Sequence, residues 1–351
     1  MAEKLKIGIV GMGAIGAVHA DSFLATGEAE IAAICDVDAG VLKKQGERLG
    51  VKNRFAKPSD LFASDAEAVL ICVPNNLHRE MVLAAFEAGK HVLCEKPMAL
   101  NAGEAADMVA AHEAAGTVGQ MGMCNRQRAG SQAAKSYVDN GLLGQIYHAR
   151  AVMIRRRGIP GLGGWFTTKA LSGGGPMIDL GVHWFDLVMW LTGHWQPTSV
   201  SAATYAKFGS PMDKYTYVGM WAGPPKYDGT FDVEDYSTGF VRFDRKCTLS
   251  FEIVWAANTA GESYIELLGD KGGVRLDGKQ VRLYTEHNGQ LADITPHLAE
   301  SNQYVVQAAK FVAACRGRCP PAATFEQGRT VMKLLDAIYA SGEAGREVAI
   351  E

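Results

Sequence analysis

The feature that most constrains the fold is a glycine-rich turn near the start of the chain. Residues 11–16 read Gly-Met-Gly-Ala-Ile-Gly, a strict G-x-G-x-x-G. They follow the apolar stretch Leu5–Val10, which predicts a buried strand, and they open a predicted helix at 14–26. A strand, a turn of this kind and a helix predict a dinucleotide-binding unit. The first glycine permits the tight turn, the second admits a pyrophosphate and the third lets helix and strand pack closely.

The start of that helix predicts where the phosphates bind, because its free N–H groups and positive dipole end attract anions. The residues predicted to contact the cofactor there are Gly11, Met12, Gly13, Ala14, Ile15 and Gly16. Asp36 ends the second predicted strand, and a carboxylate there accepts hydrogen bonds from an adenosine ribose. It would repel a 2′-phosphate, and no Lys or Arg follows at 37–42. The sequence therefore predicts NAD in preference to NADP.

The first third of the chain alternates apolar strands with helices, and glycines repeatedly follow the helical segments. This pattern predicts a parallel sheet covered on both faces. After residue 123 the pattern changes to a loop with seven glycines at 158–175, a helix at about 176–191 and several strands joined by short turns. We predict an α/β chain with a Rossmann domain at 1–123 and a mainly antiparallel α/β domain at 124–351. The C-terminal helices are left free to pack on the first domain, and 208–235 is unassigned.

Composition excludes several classes of protein. The net charge of −3, from 35 basic and 38 acidic residues, gives no basic surface for nucleic acid. No run approaches 18 apolar residues, so no membrane span or membrane partner is predicted. Seven scattered cysteines lack the paired spacing of a zinc site and favour reduced thiols. We therefore expect a cytoplasmic protein without a bound metal.

Two places carry candidate catalytic groups. Asp179 and His183 are four residues apart on a predicted helix, so they share a face, and Asp186 lies on that face too. His183 is the natural base near neutral pH, and a carboxylate can orient it. Spacing alone also fits a solvated face or a buried structural pair. Lys96 follows an apolar strand and precedes Pro97, at the sheet edge where ligands bind. Its ammonium would stabilise a developing alkoxide, although a surface lysine is the default interpretation.

Three further segments occur in a familiar order. They are Val73-Pro74-Asn75-Asn76-Leu77-His78, Cys94-Glu95-Lys96-Pro97 and the nine residues Gly-Pro-Met-Ile-Asp-Leu-Gly-Val-His at 175–183. With the N-terminal fingerprint, they resemble the glucose–fructose oxidoreductase and inositol dehydrogenase family, Gfo/Idh/MocA, over essentially the whole chain. The resemblance implies NAD(P)-dependent oxidation or reduction of sugars and cyclitols. It also implies a C-terminal domain built on an open antiparallel sheet.

The resemblance extends the set of candidate site residues. The catalytic set is Lys96, Asp179 and His183. Further predicted cofactor contacts are Pro74, Asn75, His78, Glu95, Lys96, Asn125 and Trp165. The predicted substrate contacts are Lys96, Arg126, Arg156, Trp165, Phe166, Lys169, Asp179 and His183. The aromatic pair suits stacking on the C–H face of a sugar, but it also fits a plug that packs the loop on its own domain. His78 is alternatively a helix-start residue without ligand contact.

These expectations together predict an NAD-dependent oxidoreductase that transfers a hydride between a sugar, sugar derivative or cyclitol and the nicotinamide. Two alternatives stay open. One is an enzyme that recycles its NAD and cleaves glycosides through a keto-sugar, and the other is a non-catalytic NAD-binding regulator. The partner predicted is a small carbohydrate or cyclitol. A homodimer or homotetramer is expected, because an open sheet leaves one face to be covered.

Overall fold

The computed structural model describes residues 3–244, 247–278 and 280–351. By contacts, the chain forms two compact units. The first comprises 1–127 and 301–329, and the second comprises 128–300 and 330–351. The division at residue 123, predicted from the change of sequence pattern, stays a prediction about functional domains.

Strands and helices are numbered separately, each in chain order. The strands are β1 (Leu5–Val10), β2 (Ala29–Cys35), β3 (Asn53–Phe55), β4 (Ala68–Ile71), β5 (His91–Cys94), β6 (Gly119–Met121), β7 (Ile146–Ile154), β8 (Pro197–Tyr205), β9 (Tyr236–Phe243), β10 (Cys247–Val254), β11 (Glu262–Gly269), β12 (Gly273–Asp277), β13 (Gln280–His287), β14 (Gln290–Ile294) and β15 (Val348–Ala349). The helices are α1 (Ala14–Ala25), α2 (Ala39–Leu49), α3 (Pro58–Phe62), α4 (His78–Glu87), α5 (Ala102–Ala115), α6 (Ala129–Asp139), α7 (Lys169–Ser172), α8 (Val182–Thr192), α9 (Gln303–Cys315) and α10 (Phe325–Ala344).

The first unit is built on a parallel sheet of order β3-β2-β1-β4-β5-β6. All four residues of β4 are buried, as expected for an apolar strand covered on both faces. The direction of strand addition reverses between β1 and β4, and ligands of such sheets bind at the carboxyl ends of the strands beside that reversal. The predicted Rossmann-type sheet is confirmed.

Helix α9 packs against α1 in this first unit. The rings of Phe23 and Phe311 meet edge to face, with centroids 6.1 Å apart. Both side chains are fully buried in the cluster that also contains Ile7 and Ile9 of β1. Burial of one such ring contributes about 1.5–3 kcal/mol. The helix that carries the fingerprint turn is therefore held from both sides.

The second unit is built on a nine-stranded sheet of order β14-β13-β12-β11-β7-β10-β9-β8-β15. Neighbouring strands in this sheet pair in antiparallel orientation, except for β7 and β10, which are parallel. The prediction of a mainly antiparallel sheet is confirmed. Helix α8 packs on β7, where the indole N–H of Trp184 donates to the carbonyl of Val152 at 3.1 Å. This contact places α8 on one face of the sheet.

One segment differs from expectation, and the structure also describes the stretch that the sequence left unassigned. The helix predicted at 176–191 is a π-helical turn at Met177–Gly181 that continues into α8. The unassigned stretch 208–235 is mainly irregular, with one 3₁₀ turn at Met212–Lys214. Within the described residues, no helix is both long and apolar enough to cross a membrane.

Candidate active site

The predicted cofactor residues follow the strands of the parallel sheet. Gly11 follows β1, Asp36 follows β2, Pro74 comes three residues after β4, Glu95 follows β5 and Asn125 comes four residues after β6. Parallel strands end at the same edge of a sheet, so the fold gathers these five positions along one edge. That edge is where a doubly wound sheet binds its ligand.

The three fingerprint glycines have different reasons to lack a side chain. A Cβ on Gly11, whose φ is +91°, would lie 2.4 Å from the carbonyl oxygen of Cys72. A Cβ on Gly16 would lie 2.0 Å from the carbonyl oxygen of Gly11. A Cβ on Gly13 would meet nothing within 4 Å. Backbone packing thus requires the outer two glycines, whereas Gly13 borders open space at the start of α1. That space fits the close approach of a pyrophosphate.

Asp36 ties the fingerprint turn to the second strand. Its Oδ2 accepts a hydrogen bond from the backbone N–H of Met12 at 2.8 Å, and its Oδ1 accepts one from Asp38 at 3.0 Å. A carboxylate offers about four lone-pair positions. Asp36 can therefore hold the turn and still accept from ribose hydroxyls.

Glu95 is held by a histidine that the sequence pattern did not single out. The Nε2 of His19, on α1, lies 2.7 Å from Oε1 of Glu95, and both side chains are buried. The other carboxylate oxygen accepts from the backbone N–H of Lys96 at 3.2 Å. The ring of Tyr304 packs edge-on against His19 at 5.3 Å between centroids. The fingerprint helix and the backbone of Lys96 are therefore joined through one carboxylate.

This arrangement predicts a pH-dependent stability. Burial raises the pKa of Glu95, but the hydrogen bond and charge of His19 and the charge of Lys96 outweigh burial, so its pKa lies below the usual value. In the unfolded chain, the pKa of the Glu95 carboxyl is about 4.3. The stabilisation is therefore complete above that pH and is lost as pH falls through the lower, folded pKa. We expect the free energy of unfolding of the wild type to approach that of Glu95→Gln on acidification.

Urea unfolding of both proteins at a series of pH values measures this difference. Glu87→Gln, at the exposed end of α4, is the matched control and should give a difference that does not change with pH. A wild-type to Glu95→Gln difference that stays constant from neutral to acid pH would contradict the prediction.

His78 connects the turns that follow β4 and β5. It is buried at the start of α4, with Nδ1 2.7 Å from the carbonyl oxygen of Pro97 and Nε2 2.9 Å from that of Val73. Burial lowers its pKa, against the effect of those two carbonyls. Lys96 lies half-buried between Glu95 and Pro97. The side chain of His78 therefore holds the backbone next to the candidate catalytic lysine.

Three further candidates of the first unit, Asn75, Asn125 and Arg126, are buried. Asn75 begins a 3₁₀ turn after β4, and Asn125 and Arg126 lie in the 3₁₀ turn Cys124–Gln127. The guanidinium of Arg126 is 1% exposed and donates to the carbonyl of Ala322 at 2.8 Å. This bond anchors the segment after α9. The predicted substrate contact of Arg126 stays a prediction.

In the second unit, Asp179 is a held carboxylate. It is 8% exposed, and its Oδ2 accepts from the indole N–H of Trp255 at 3.1 Å. Burial lowers the pKa of the nearby Arg155, while the charge of Asp179 opposes that change. Asp179 lies in the π-helical turn and His183 in the first turn of α8. The two residues are therefore four positions apart across the junction between the π-helical turn and α8.

Glu234 caps the start of the helical segment that carries Asp179. Its carboxylate accepts from the backbone N–H groups of Gly175 at 3.0 Å and Met177 at 3.2 Å, and from the hydroxyl of Tyr339 at 2.8 Å. Burial raises the pKa of Glu234. A Cβ on Gly175 would lie 2.0 Å from the carbonyl oxygen of Glu234. The absence of a side chain at Gly175 therefore lets the backbone of Glu234 lie close to the start of this helical segment.

The two aromatic residues of the loop, Trp165 and Phe166, form a cluster with Trp221. The ring centroids of Trp165 and Phe166 are 3.8 Å apart, and Trp221 meets Phe166 edge to face at 5.0 Å. Phe166 is buried, Trp165 is half-buried and Trp221 is 65% exposed. Trp221 comes from the segment 208–235, for which the sequence predicted no structure. Phe166 therefore packs within its own unit, and the two tryptophans are the more accessible rings.

The last two substrate candidates are exposed. Lys169 begins α7, where its backbone N–H donates to Asp232 at 2.6 Å and its ammonium lies 5.9 Å from the ring centroid of Tyr339. Arg156 follows β7 and is exposed. Across residues 3–244, 247–278 and 280–351, no cluster of three histidine, cysteine or acidic side chains is arranged to hold a metal ion.

Comparison with known proteins matches both parts of the chain. Residues 5–123 match the family described as "Oxidoreductase family, NAD-binding Rossmann fold", and residues 131–275 match "GFO/IDH/MocA C-terminal domain". D-glucoside 3-dehydrogenase of Escherichia coli (strain K12) is 32% identical over 353 residues, which cover 99% of this chain and 98% of that protein. Myo-inositol 2-dehydrogenase of Thermotoga maritima is 31% identical over 190 residues, covering 54% of this chain and 55% of that protein.

A solved structure agrees with the fold described above. Levoglucosan dehydrogenase in complex with NADH matches with a TM-score of 0.87 at 21% identity, covering 99% of this chain and 100% of that one. At this identity the likeness concerns the fold. It extends over both sheets, because almost the whole of each chain is covered.

Proposed function

The chain belongs to the Gfo/Idh/MocA family of NAD-binding oxidoreductases, and from this premise we propose that it oxidises a hydroxyl group of a sugar, sugar derivative or cyclitol with NAD as acceptor. The first unit would bind the cofactor and the second would hold the substrate. The observation that carries the proposal is the buried Asp179 carboxylate. It accepts a hydrogen bond from Trp255 and lies four residues before His183 in the sequence. A second observation that supports the proposal is the open space beside Gly13 in the fingerprint turn.

Oxidation of an alcohol requires a hydride acceptor and a proton acceptor. NAD supplies the first when bound, through C4 of its nicotinamide. His183 supplies the second by taking the hydroxyl proton as the carbonyl forms, and Asp179 orients its imidazole. The ammonium of Lys96 donates a hydrogen bond to the reacting oxygen and stabilises its developing negative charge. The hydride and the proton account for both hydrogens that the alcohol loses.

The choice of test substrates follows the relatives. A glucoside dehydrogenase matches along the whole chain and an inositol dehydrogenase along about half of it. Purified protein is mixed with NAD and, in turn, glucosides, free aldoses and inositols, and absorbance of NADH is followed. Substrate-dependent NADH formation supports the proposal. Cleavage of a glycoside without net NADH would instead indicate the cofactor-recycling reaction, and absence of both would contradict enzymatic action on these classes.

Asp36 should set the choice between NAD and NADP. Its carboxylate would accept from the ribose hydroxyls of NAD and repel the 2′-phosphate of NADP. We expect Asp36→Ser to lower kcat/KM for NAD about tenfold or more, because charged hydrogen bonds contribute roughly 1.5–3 kcal/mol. The same change should raise kcat/KM for NADP.

The matched control for this experiment is Asp38→Asn. Asp38 is two residues away and caps α2 by accepting from Gly40 and Val41, which an asparagine can also do. The control should leave the ratio of the two cofactors unchanged. Equal use of NAD and NADP by the wild type would show that Asp36 does not select the cofactor.

A further inference from the structure

A concave site lined by basic side chains lies in the second unit, near the residues that hold Asp179 in place. It is a cavity of about 200 Å³, and we call it the basic pocket. Its walls include Arg157, Lys207, Phe208, Ser210, Lys214 and Tyr215. Pockets for drug-sized ligands measure about 300–1,000 Å³. The basic pocket is therefore sized for a single small group.

Arg157 is fixed in place before any ligand binds. Its Nη1 donates to the carbonyls of Arg156 at 2.6 Å and Ala257 at 3.1 Å, and its Nη2 donates to Oδ1 of Asn258 at 2.8 Å. Its guanidinium carbon lies 4.6 Å from the ring centroid of Phe208. A guanidinium has five N–H donors. These bonds use three of them, and two remain to meet an acceptor without reorganisation of the side chain.

The pocket has three cations and little to balance them. In the described part of the chain, Arg157, Lys207 and Lys214 form no ion pair with a carboxylate. The buried Asp235 lies beneath the same loop, but its carboxylate accepts from the backbone N–H groups of residues 207–209. That carboxylate therefore shapes the loop. Like charges around a cavity focus the field on an incoming anion.

The pocket is connected to the candidate catalytic carboxylate through the backbone. The hydroxyl of Tyr215 accepts from the N–H of Ile159 at 3.3 Å, and the preceding Gly158 donates to the carbonyl of Trp255 at 2.8 Å. Trp255 is the residue whose indole holds Asp179. One short segment thus forms a wall of the pocket and a support of the candidate active site.

We propose that the basic pocket binds a phosphate group. Three cations with a pre-placed guanidinium suit a compact dianion, because arginine meets phosphate oxygens through paired N–H donors and lysines add point charges. The hydroxyls of Ser210 and Tyr215 add neutral polar groups. The phosphate is either part of a phosphorylated sugar substrate or free inorganic phosphate. The binding stands on the pocket alone, whereas the substrate assignment rests on the proposed function.

Calorimetric titration of the full chain with inorganic phosphate at low salt tests the binding. We expect saturable one-site binding at millimolar phosphate or below, weakened at least tenfold in Lys214→Gln and in Arg157→Gln. Lys214 is exposed, so its replacement keeps the test valid if Arg157→Gln fails to fold. Lys271→Gln, an exposed lysine outside the pocket, should bind as the wild type does. Unsaturable binding, or equal affinity in all four proteins, would overturn the proposal.

Kinetic comparison of the wild type with Lys214→Gln separates the two sources of phosphate. If the group belongs to the substrate, phosphate competes with a sugar phosphate, and Lys214→Gln lowers kcat/KM for that sugar phosphate but not for the neutral sugar. If the ligand is free phosphate, Lys214→Gln weakens phosphate binding but leaves the ratio of kcat/KM for the sugar phosphate to kcat/KM for the neutral sugar unchanged. Calorimetry needs no turnover. Phosphate binding without NADH formation on any substrate would contradict the proposed function, but it would still support the phosphate site in the basic pocket.

Discussion

Replacing His183 by asparagine should lower kcat about 10²–10⁴-fold, the usual contribution of a positioned acid–base group. Asparagine keeps a polar side chain but cannot take up a proton near neutral pH. Lys96→Met should cause a loss of similar size, because it removes the charge that stabilises the developing alkoxide. Initial rates of NADH formation on a substrate identified by screening measure both effects.

Matched controls separate chemistry from folding. His287→Asn changes an exposed histidine at the end of β13, and Lys43→Met changes an exposed lysine on α2. Both should retain kcat within about threefold, since surface substitutions away from special features change little. Both controls should unfold at the wild-type urea concentration, and urea unfolding of His183→Asn and Lys96→Met shows how much of each protein is folded under the assay conditions. Full turnover in His183→Asn would show that another group takes the proton.

Asp179→Asn distinguishes orientation from proton transfer. The amide can still accept from the indole of Trp255, but it cannot stabilise a charged imidazolium as a carboxylate does. A positioning role therefore predicts a loss in kcat with KM for NAD unchanged, and a pH profile displaced from that of the wild type. A variant that differs only in stability would contradict that role.

Local patterns were sufficient for much of this architecture. Strand β1, the fingerprint turn and α1 were predicted nearly residue by residue, because apolar runs and glycines report on nearby backbone. The predicted order of motifs also identified the family, which is confirmed. The segment 208–235 resisted assignment because it has no periodic pattern, and its single 3₁₀ turn spans three residues.

The supports of the site could not be predicted from local patterns. His19 and Glu95 are 76 residues apart, as are Asp179 and Trp255. Glu234 reaches Gly175 across 59 residues. Such contacts depend on how strands and loops are brought together, and a buried histidine or glutamate has no distinctive local signature. A polar residue within an otherwise apolar helix face, as His19 is on α1, is the one signal that was available.

The fingerprint glycines give the sharpest separation of cofactor binding from folding. Gly16→Ala should destabilise the protein by more than about 4 kcal/mol, because its Cβ would lie 2.0 Å from a backbone oxygen that cannot move aside. Gly13→Ala should cost no more than about 1 kcal/mol, since its φ of −63° suits alanine and its Cβ meets nothing within 4 Å. Urea unfolding measures both changes.

NAD binding should show the opposite sensitivity at Gly13. The added methyl group would occupy the space through which the backbone approaches the pyrophosphate. We expect Gly13→Ala to weaken NAD binding roughly 10–100-fold by calorimetry, equivalent to about 1.4–2.7 kcal/mol, in a protein that remains folded. Gly27→Ala, in the turn after α1, is the control with a left-handed φ of +71° and should lose stability without losing NAD affinity. Wild-type affinity in Gly13→Ala would mean that the pyrophosphate does not approach the turn at this glycine.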